Sequence, residues 1–356
     1  MNAHERFAAY LAGKPVDRAP VIEWAPWWHL TVQRWLGEGL PHEMANTEAL
    51  QGYFGLDKCL QTSVGCRTAK TPRAAEYGSG IMKDEADYEA IRPTLFPDPE
   101  RLLSDEHFEW LKRTHDRGDT LHFFTVEGFF WYPREMFGIE DHLYSFYDHP
   151  ELLKRMAEDY TEWLIQVFHA VFSRHRFDFM SFAEDMSYNN GPMISKALFD
   201  EFLAPYYKRV IGVIHTYGIP VFIDSDGDIT EAVDWYAEVG ADGMFPLERQ
   251  AGVDVSTYLD KQPSMAFIGH FDKMCMKFGE EEMRREFERL LPSMRRGKLI
   301  ASCDHQTPPD VSIDNYRIYV KLFYEYAAKV THTDDRILPC PVFTGTVPCN
   351  AAEKEN

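Results

Sequence analysis

IPVFIDSDGDITEAVDWYAEVGADGMFPLE, residues 219–248, opens with a short apolar run that ends in Asp224, Asp226 and Asp228. A stretch that reads as a helix follows from residue 229, and then a second apolar run, which ends in Glu248. Apolar runs of this length, continuous rather than alternating, are the signature of strands buried on both faces. The same alternation fills the chain from about residue 117. Further runs are TLHFFTVEGFF (120–130), FDFMSFAED (177–185), PSMAFIGHFD (263–272) and GKLIASCDH (297–305), with amphipathic stretches between them. An earlier run, APVIEWAP (19–26), follows an opening helix, and the irregular region 55–115 has room for one more strand.

Regular strand–helix alternation predicts an α/β fold with a parallel sheet covered by helices. Seven visible strands and room for an eighth predict a (β/α)8 barrel, with an open doubly wound sheet as the alternative. No G-x-G-x-x-G follows the first strand and no P-loop is present, so the nucleotide fingerprints of the open sheet are missing. The whole chain, 1–356, reads as one barrel domain with an extended tail from about 335, ILPCPVFTGTVPCNAAEKEN.

A formal net charge of -20 argues against nucleic-acid or anionic-membrane partners, which need basic surface. The apolar runs fall well short of the ~20 residues that span a bilayer, and the charged N-terminus has no signal-peptide block, so a cytoplasmic location is expected. Six irregularly spaced cysteines fit free thiols in a reducing compartment.

In a parallel barrel, chemistry gathers at the C-terminal ends of the strands. Every identified run ends there in a titratable group: Glu23, Glu127, Glu184 with Asp185, Asp224 with Asp226, Glu248, His270 with Asp272, and Cys303 with Asp304 and His305. A solvated loop rim would also be polar, and Asp with Gly is common in turns. Asp224, Asp226, Glu248, His270 and Cys303 are of types that bind zinc, and they come from four consecutive strands. Buried Cys303 and a hydrogen-bonded core His270 are the plain structural alternatives. IEWAPWWHL (22–30) places Trp27 and Trp28 near the same mouth, where with Tyr188 and Glu127 they would wall a pocket for a flat ring; aromatic clusters are also ordinary core.

The motifs RFAAYLAGKPVDRAPV, AEDMSYNNGPMIS, FLAPYYKRVI, PLERQAGVDV, GHFDK and SCDHQTPPDVSIDNYRIYVKLFYEY resemble, in order and over roughly residues 4–330, the uroporphyrinogen decarboxylase superfamily. The resemblance implies a (β/α)8 barrel. True decarboxylases of the family carry R-Q-A-G-R after the first strand; here the segment is EWAPWWHLT, with no arginine before Arg34. Its other branch holds cobalamin-dependent methyltransferases, in which an H-x-C, an acidic residue and a late cysteine bind zinc. Those positions fall on Asp224-Ser225-Asp226, Glu248 and Cys303, a harder, more oxygen-rich set that suits water or a phenolic oxygen.

The resemblance therefore implies an enzyme that takes a methyl group from a small donor, foremost an aryl methyl ether such as a methoxyphenol, and passes it to Co(I) of a corrinoid-binding protein. Asp226, His305 and Glu184 are the expected proton-handling groups, and zinc and a partner-borne cobalamin the expected cofactors. Methyl transfer in a thiol or methylamine-linked system, uroporphyrinogen decarboxylation, and a noncatalytic tetrapyrrole-binding protein stand as alternatives.

Overall fold

The computed structural model describes residues 1–330; the tail expected from about 335 lies outside the described residues. The strands are β1 (Lys58–Ser63), β2 (Thr120–Glu127), β3 (Phe179–Ala183), β4 (Ser187–Tyr188), β5 (Gly191–Pro192), β6 (Val221–Ser225), β7 (Gly243–Pro246), β8 (Ala266–Ile268) and β9 (Leu299–Ile300). β4 and β5 form a small antiparallel hairpin, and the other seven make one parallel sheet in the order β1-β2-β3-β6-β7-β8-β9. Helices connect successive strands, as the alternation requires. No helix among the described residues is long and apolar enough to cross a membrane.

The eighth barrel position is filled by the run around residues 19–26, expected as a strand. It is extended and buried but joins no ladder, because Pro20 has no N–H to give. It is tied in by other bonds. Asp57 N–H, just before β1, donates to Val21 O (2.9 Å), and Ala19 N–H donates to Ala327 O (3.1 Å). The Glu23 carboxyl accepts from Tyr319 Oη (2.6 Å) and from Cys303 N–H (3.3 Å), beyond β9. The segment thus lies between β9 and β1, while the irregular region 55–115 supplies β1 itself.

Inside the curled sheet the rings pack against one another from strand to strand. Phe123 stacks on Phe179 at 4.7 Å, Phe179 meets Phe222 at 5.3 Å, and Phe222 meets Phe245 at 6.2 Å. Trp24 closes the series on Phe245 at 4.6 Å. Gly243 is where this crowding demands glycine, since a Cβ there would sit 2.3 Å from the Phe222 ring. The helix Ala3–Leu11 plugs the N-terminal end: Phe7 stacks on Phe179 at 5.4 Å and Tyr10 Oη donates to Met294 O at 2.9 Å. The other end is left as the mouth.

Trp27, expected at the mouth, is core. It is 7% exposed and packs between Trp35 (6.4 Å), Phe54 (6.3 Å) and Tyr316 (5.8 Å). Two residues beyond Ala25 the chain has left the barrel interior, and the indole has turned onto the final helix Ile313–Ala327. Trp27→Ala is therefore expected to cost about 3 to 5 kcal/mol of stability, the usual loss for a buried large ring. Denaturant unfolding should show it, with aromatic ligand affinity unchanged; lost affinity at full stability would return Trp27 to the pocket.

Candidate active site

β6 delivers the central acids. Asp224 is register partner to Ala183 on one side and Phe245 on the other, and side chains alternate along a strand, so Asp224 shares the inward face with Phe222. Its main-chain oxygen accepts from Glu184 N–H (2.9 Å) and Asp185 N–H (3.3 Å), which pulls the end of β3 against it. Asp226 N–H in turn donates to Asp185 Oδ1 at 3.2 Å. The outcome is a trio: Asp185, Asp224 and Asp226 each present an oxygen within 4.8 Å of the others. Gly227 makes the turn possible, with φ 79° and the Tyr188 carbonyl 2.8 Å from where a Cβ would be.

Crowding carboxylates in a half-buried site disfavours their charge. Burial, then Asp185 and Asp226, push the Asp224 carboxyl well above its ordinary range. Burial, then Asp185 and Glu248, push Asp226 up to about 7, and burial raises Asp185. His305 faces Asp226, Nε2 to Oδ2 3.8 Å, and burial keeps its imidazole pKa below the usual value. The Trp24 ring lies 6.1 Å from that imidazole, so Trp24, rather than Trp27, is the indole at the mouth.

On the far side Glu248 Oε1 binds Lys273 Nζ at 3.1 Å, while Glu248 Oε2 accepts from Gly227 N–H at 3.4 Å. Lys273 also lies 3.6 Å from Asp304. Burial works against its charge, but Asp304 and Glu248 outweigh it and hold the ammonium pKa above normal. Lys273 was not among the residues singled out above; it follows Asp272 at the end of the GHFDK motif, where the strand-end rule could have found it.

The remaining candidates divide. Glu184 is fully buried and faces away from the trio, accepting from Phe130 N–H (3.0 Å), Trp131 N–H (3.4 Å) and Tyr236 Oη (3.2 Å). Burial lifts it to about 7, and it pins the turn after β2 so closely that a Cβ on Gly128 would lie 1.7 Å from it. It is thus a structural acid, contrary to the catalytic expectation. His270 is fully buried, with Nδ1 3.1 Å from Leu247 O and Nε2 3.3 Å from Val255 N–H, so both ring nitrogens are engaged away from the trio. Cys303 is buried beside Glu23, and burial holds it as a thiol. Neither joins the trio, because the chain twists out of strand geometry at Gly269 and His270 (φ 118° and 70°) and because Cys303 packs beneath the rim.

Glu127 pairs with Arg67, yet burial keeps its carboxyl above the usual range. Tyr188 and Trp28 are exposed, and the Tyr188 carbonyl accepts from Asp228 N–H at 2.9 Å, placing the β4–β5 hairpin over the acidic turn. Asp228 points away from the trio and accepts from Thr230 N–H at 2.9 Å. It caps that turn and not the following helix, which starts at Ala232 with no side-chain cap.

The donor set decides what ion would fit. Three carboxylates without thiolate or imidazole suit a hard, oxygen-seeking cation; the sulfur-containing zinc site implied by the resemblance is not assembled.

The uroporphyrinogen decarboxylase family model matches residues 97–326, and the chain belongs to that family. A methyltransferase from Methanosarcina mazei shares the fold at 15% identity, with TM-score 0.64 over 92% of this chain and 99% of that one. A Listeria monocytogenes protein assigned as a vitamin-B12 independent methionine synthase matches more loosely, at 10% identity and TM-score 0.45 over 89% of this chain and 98% of that one. No curated protein matches the chain.

Because Asp226 holds its proton to about pH 7 in the fold, far above an unfolded aspartate, its contribution to stability is complete below about pH 4 and is lost as pH rises through 7. Asp226→Asn should therefore stabilise the chelator-treated protein at about pH 8. With more than a third of the side chain exposed and screened, the gain is about 1 to 2 kcal/mol, shrinking towards zero near pH 4. Thermal melts across that range check it, and a difference independent of pH would show that the carboxyl titrates normally.

Proposed function

We propose that this member of the uroporphyrinogen decarboxylase family is a methyltransferase that demethylates an aryl methyl ether with a corrinoid protein as methyl acceptor. The observation that carries the reading is Asp226: a carboxyl that keeps its proton near neutrality, inside a trio of acids at the barrel mouth, with His305 3.8 Å away. An ether carbon is a poor electrophile because phenolate leaves reluctantly. A neutral acid aimed at the oxygen removes that difficulty.

When bound, the carrier's reduced corrinoid supplies a strongly nucleophilic cobalt that accepts the methyl group. The chain's own part is proton transfer and orientation. Asp226 gives its proton to the ether oxygen as the C–O bond breaks, so the donor leaves as a neutral phenol. His305 is placed to return a proton to Asp226 from solvent. Trp24, packed on Phe245, forms an apolar wall beside them. Glu248 pairs with Lys273 at the rim, and at Asp226 the glutamate's charge outweighs the opposing pull of the lysine.

Uroporphyrinogen decarboxylation is not favoured by this loop chemistry. A clamp for many carboxylates needs free guanidinium groups after the first segment, and Arg34 there is engaged with Glu38 (2.7 Å) and Pro309 O (3.1 Å).

Two neighbouring aspartates supply the test. Asp226→Asn should lower demethylation of guaiacol, with added corrinoid protein, by about 10²- to 10⁴-fold, the ordinary worth of a general acid. Asp228→Ala removes its two bonds from Thr230, N–H and hydroxyl, and should cost about 1 to 3 kcal/mol of stability with turnover kept. Wild-type turnover in Asp226→Asn would end the acid role. Activity on methylthiols and none on methoxyaromatics would move the reading to a thiol donor.

A further inference from the structure

Beside the trio, between the loop after β1 and the helix Trp131–Phe137, lies a cleft of about 440 Å³. Three arginines line it, Arg67, Arg73 and Arg134, against two glutamates, Glu76 and Glu135, in a chain whose net charge is -20. Arg67 is consumed by Glu127 and Glu135. Among the described residues Arg73 and Arg134 make no side-chain ion pair or hydrogen bond. Arg113, Arg176 and Arg295 likewise have no carboxylate partner among the described residues, but Arg73 and Arg134 are the two that line one cleft, where a single anion could meet both.

Arg134 is also shaped for the task. Its guanidinium lies over the Trp131 ring at 4.6 Å, a contact that uses none of its N–H donors on a carboxylate. Trp131 and Tyr77 make the cleft aromatic as well as basic. The walls are preorganised. Glu184 holds Phe130 and Trp131 N–H, and the opposite loop is bonded to the helix end through Ile81 N–H to Met136 O (2.8 Å) and Ile139 N–H to Gly78 O (3.0 Å). Little ordering remains to be done on binding. Trp131, on the cleft wall, donates its N–H to Glu184, the residue before Asp185, so the cleft abuts the end of β3 that carries part of the trio.

We infer that this cleft binds the carboxylate of an aromatic acid, held by Arg134 and Arg73 with its ring against Trp131. The inference rests on the methyl-transfer reading for the role of that acid: it makes the methyl donor a methoxybenzoate, with the carboxylate in the cleft and the ether directed to Asp226. Neutral methoxyphenols are then poor substitutes.

The test compares 3-methoxybenzoate with its neutral isostere 3-methoxybenzamide by titration calorimetry, with no corrinoid present. The wild-type protein should bind the benzoate at least about 10-fold more tightly, a preference that weakens with salt. Arg134→Gln and Arg73→Gln should each erase most of it, a loss of about 10- to 100-fold in benzoate affinity, with the benzamide little affected. Arg134→Lys should recover only part, since an ammonium lacks the fork. Equal affinity for the two ligands, or a preference that survives both glutamine variants, overturns the cleft assignment while leaving guaiacol demethylation to stand by itself. Tight, arginine-dependent benzoate binding without demethylation of any donor upholds the cleft and retires the methyl-transfer reading.

Discussion

Holding Asp185, Asp224 and Asp226 within 4.8 Å of one another is the constraint around which the mouth is built. Like charges at that spacing, half removed from water, cannot all ionise without large cost, so the site must retain protons or take up a cation. The fold meets the geometric part of this demand with main chain. Asp224 O accepts two N–H groups from the end of β3, Asp226 N–H binds Asp185, and Gly227 lets the hairpin lie directly on the turn. The two bonds to Asp224 O hold that acid by its backbone, while the Asp226 N–H takes up one Asp185 oxygen and leaves the Asp226 carboxyl itself facing the mouth.

A second set of buried acids does the opposite work. Glu184 holds Phe130 and Trp131 N–H, Asp304 holds Arg249 N–H (2.8 Å) and Lys273 N–H (3.2 Å), and Glu23 holds Cys303 N–H and Tyr319. Burial raises them all, to about 7 for Glu184, 6 for Asp304 and 8 for Glu23. They pin the loops that carry Trp131, Lys273 and Cys303. Raised pKa values alone therefore do not mark reactive groups in this protein. What separates the trio from the staples is where the oxygens go: the staples spend theirs on loop N–H groups and buried tyrosines, while the trio, apart from the Asp185 Oδ1 that accepts Asp226 N–H, keeps its oxygens together at the mouth.

The aromatic residues sort the same way. Trp24 closes the interior ring series, Trp27 and Trp35 knit the first segment to the final helix, and Trp131 carries Arg134 on its face. The indole side chains between residues 24 and 28 thus serve different layers of the fold, set by where the chain leaves the barrel.

The barrel was legible in the sequence because burial on both faces makes each strand a continuous apolar run, a local property that survives without knowledge of partners. Strand alternation puts Asp224 and Asp226 on one face, and Gly227, at φ 79°, then turns Asp228 aside. Other assignments depended on what residues far apart in the chain do to one another. Pro20 left the first segment without a ladder, so its closure rests on bonds to Asp57, Cys303 and Tyr319. Glu184 and Asp185 are adjacent and alike in composition, yet one meets buried tyrosines and backbone N–H groups and the other meets Asp226. His270 and Cys303 stand at strand ends like the trio, but positive backbone angles and packing beneath the rim turn them aside. Local pattern determined which residues reach the mouth; direction at the mouth is decided by hydrogen-bond partners from other strands, and only the tertiary structure brings those together.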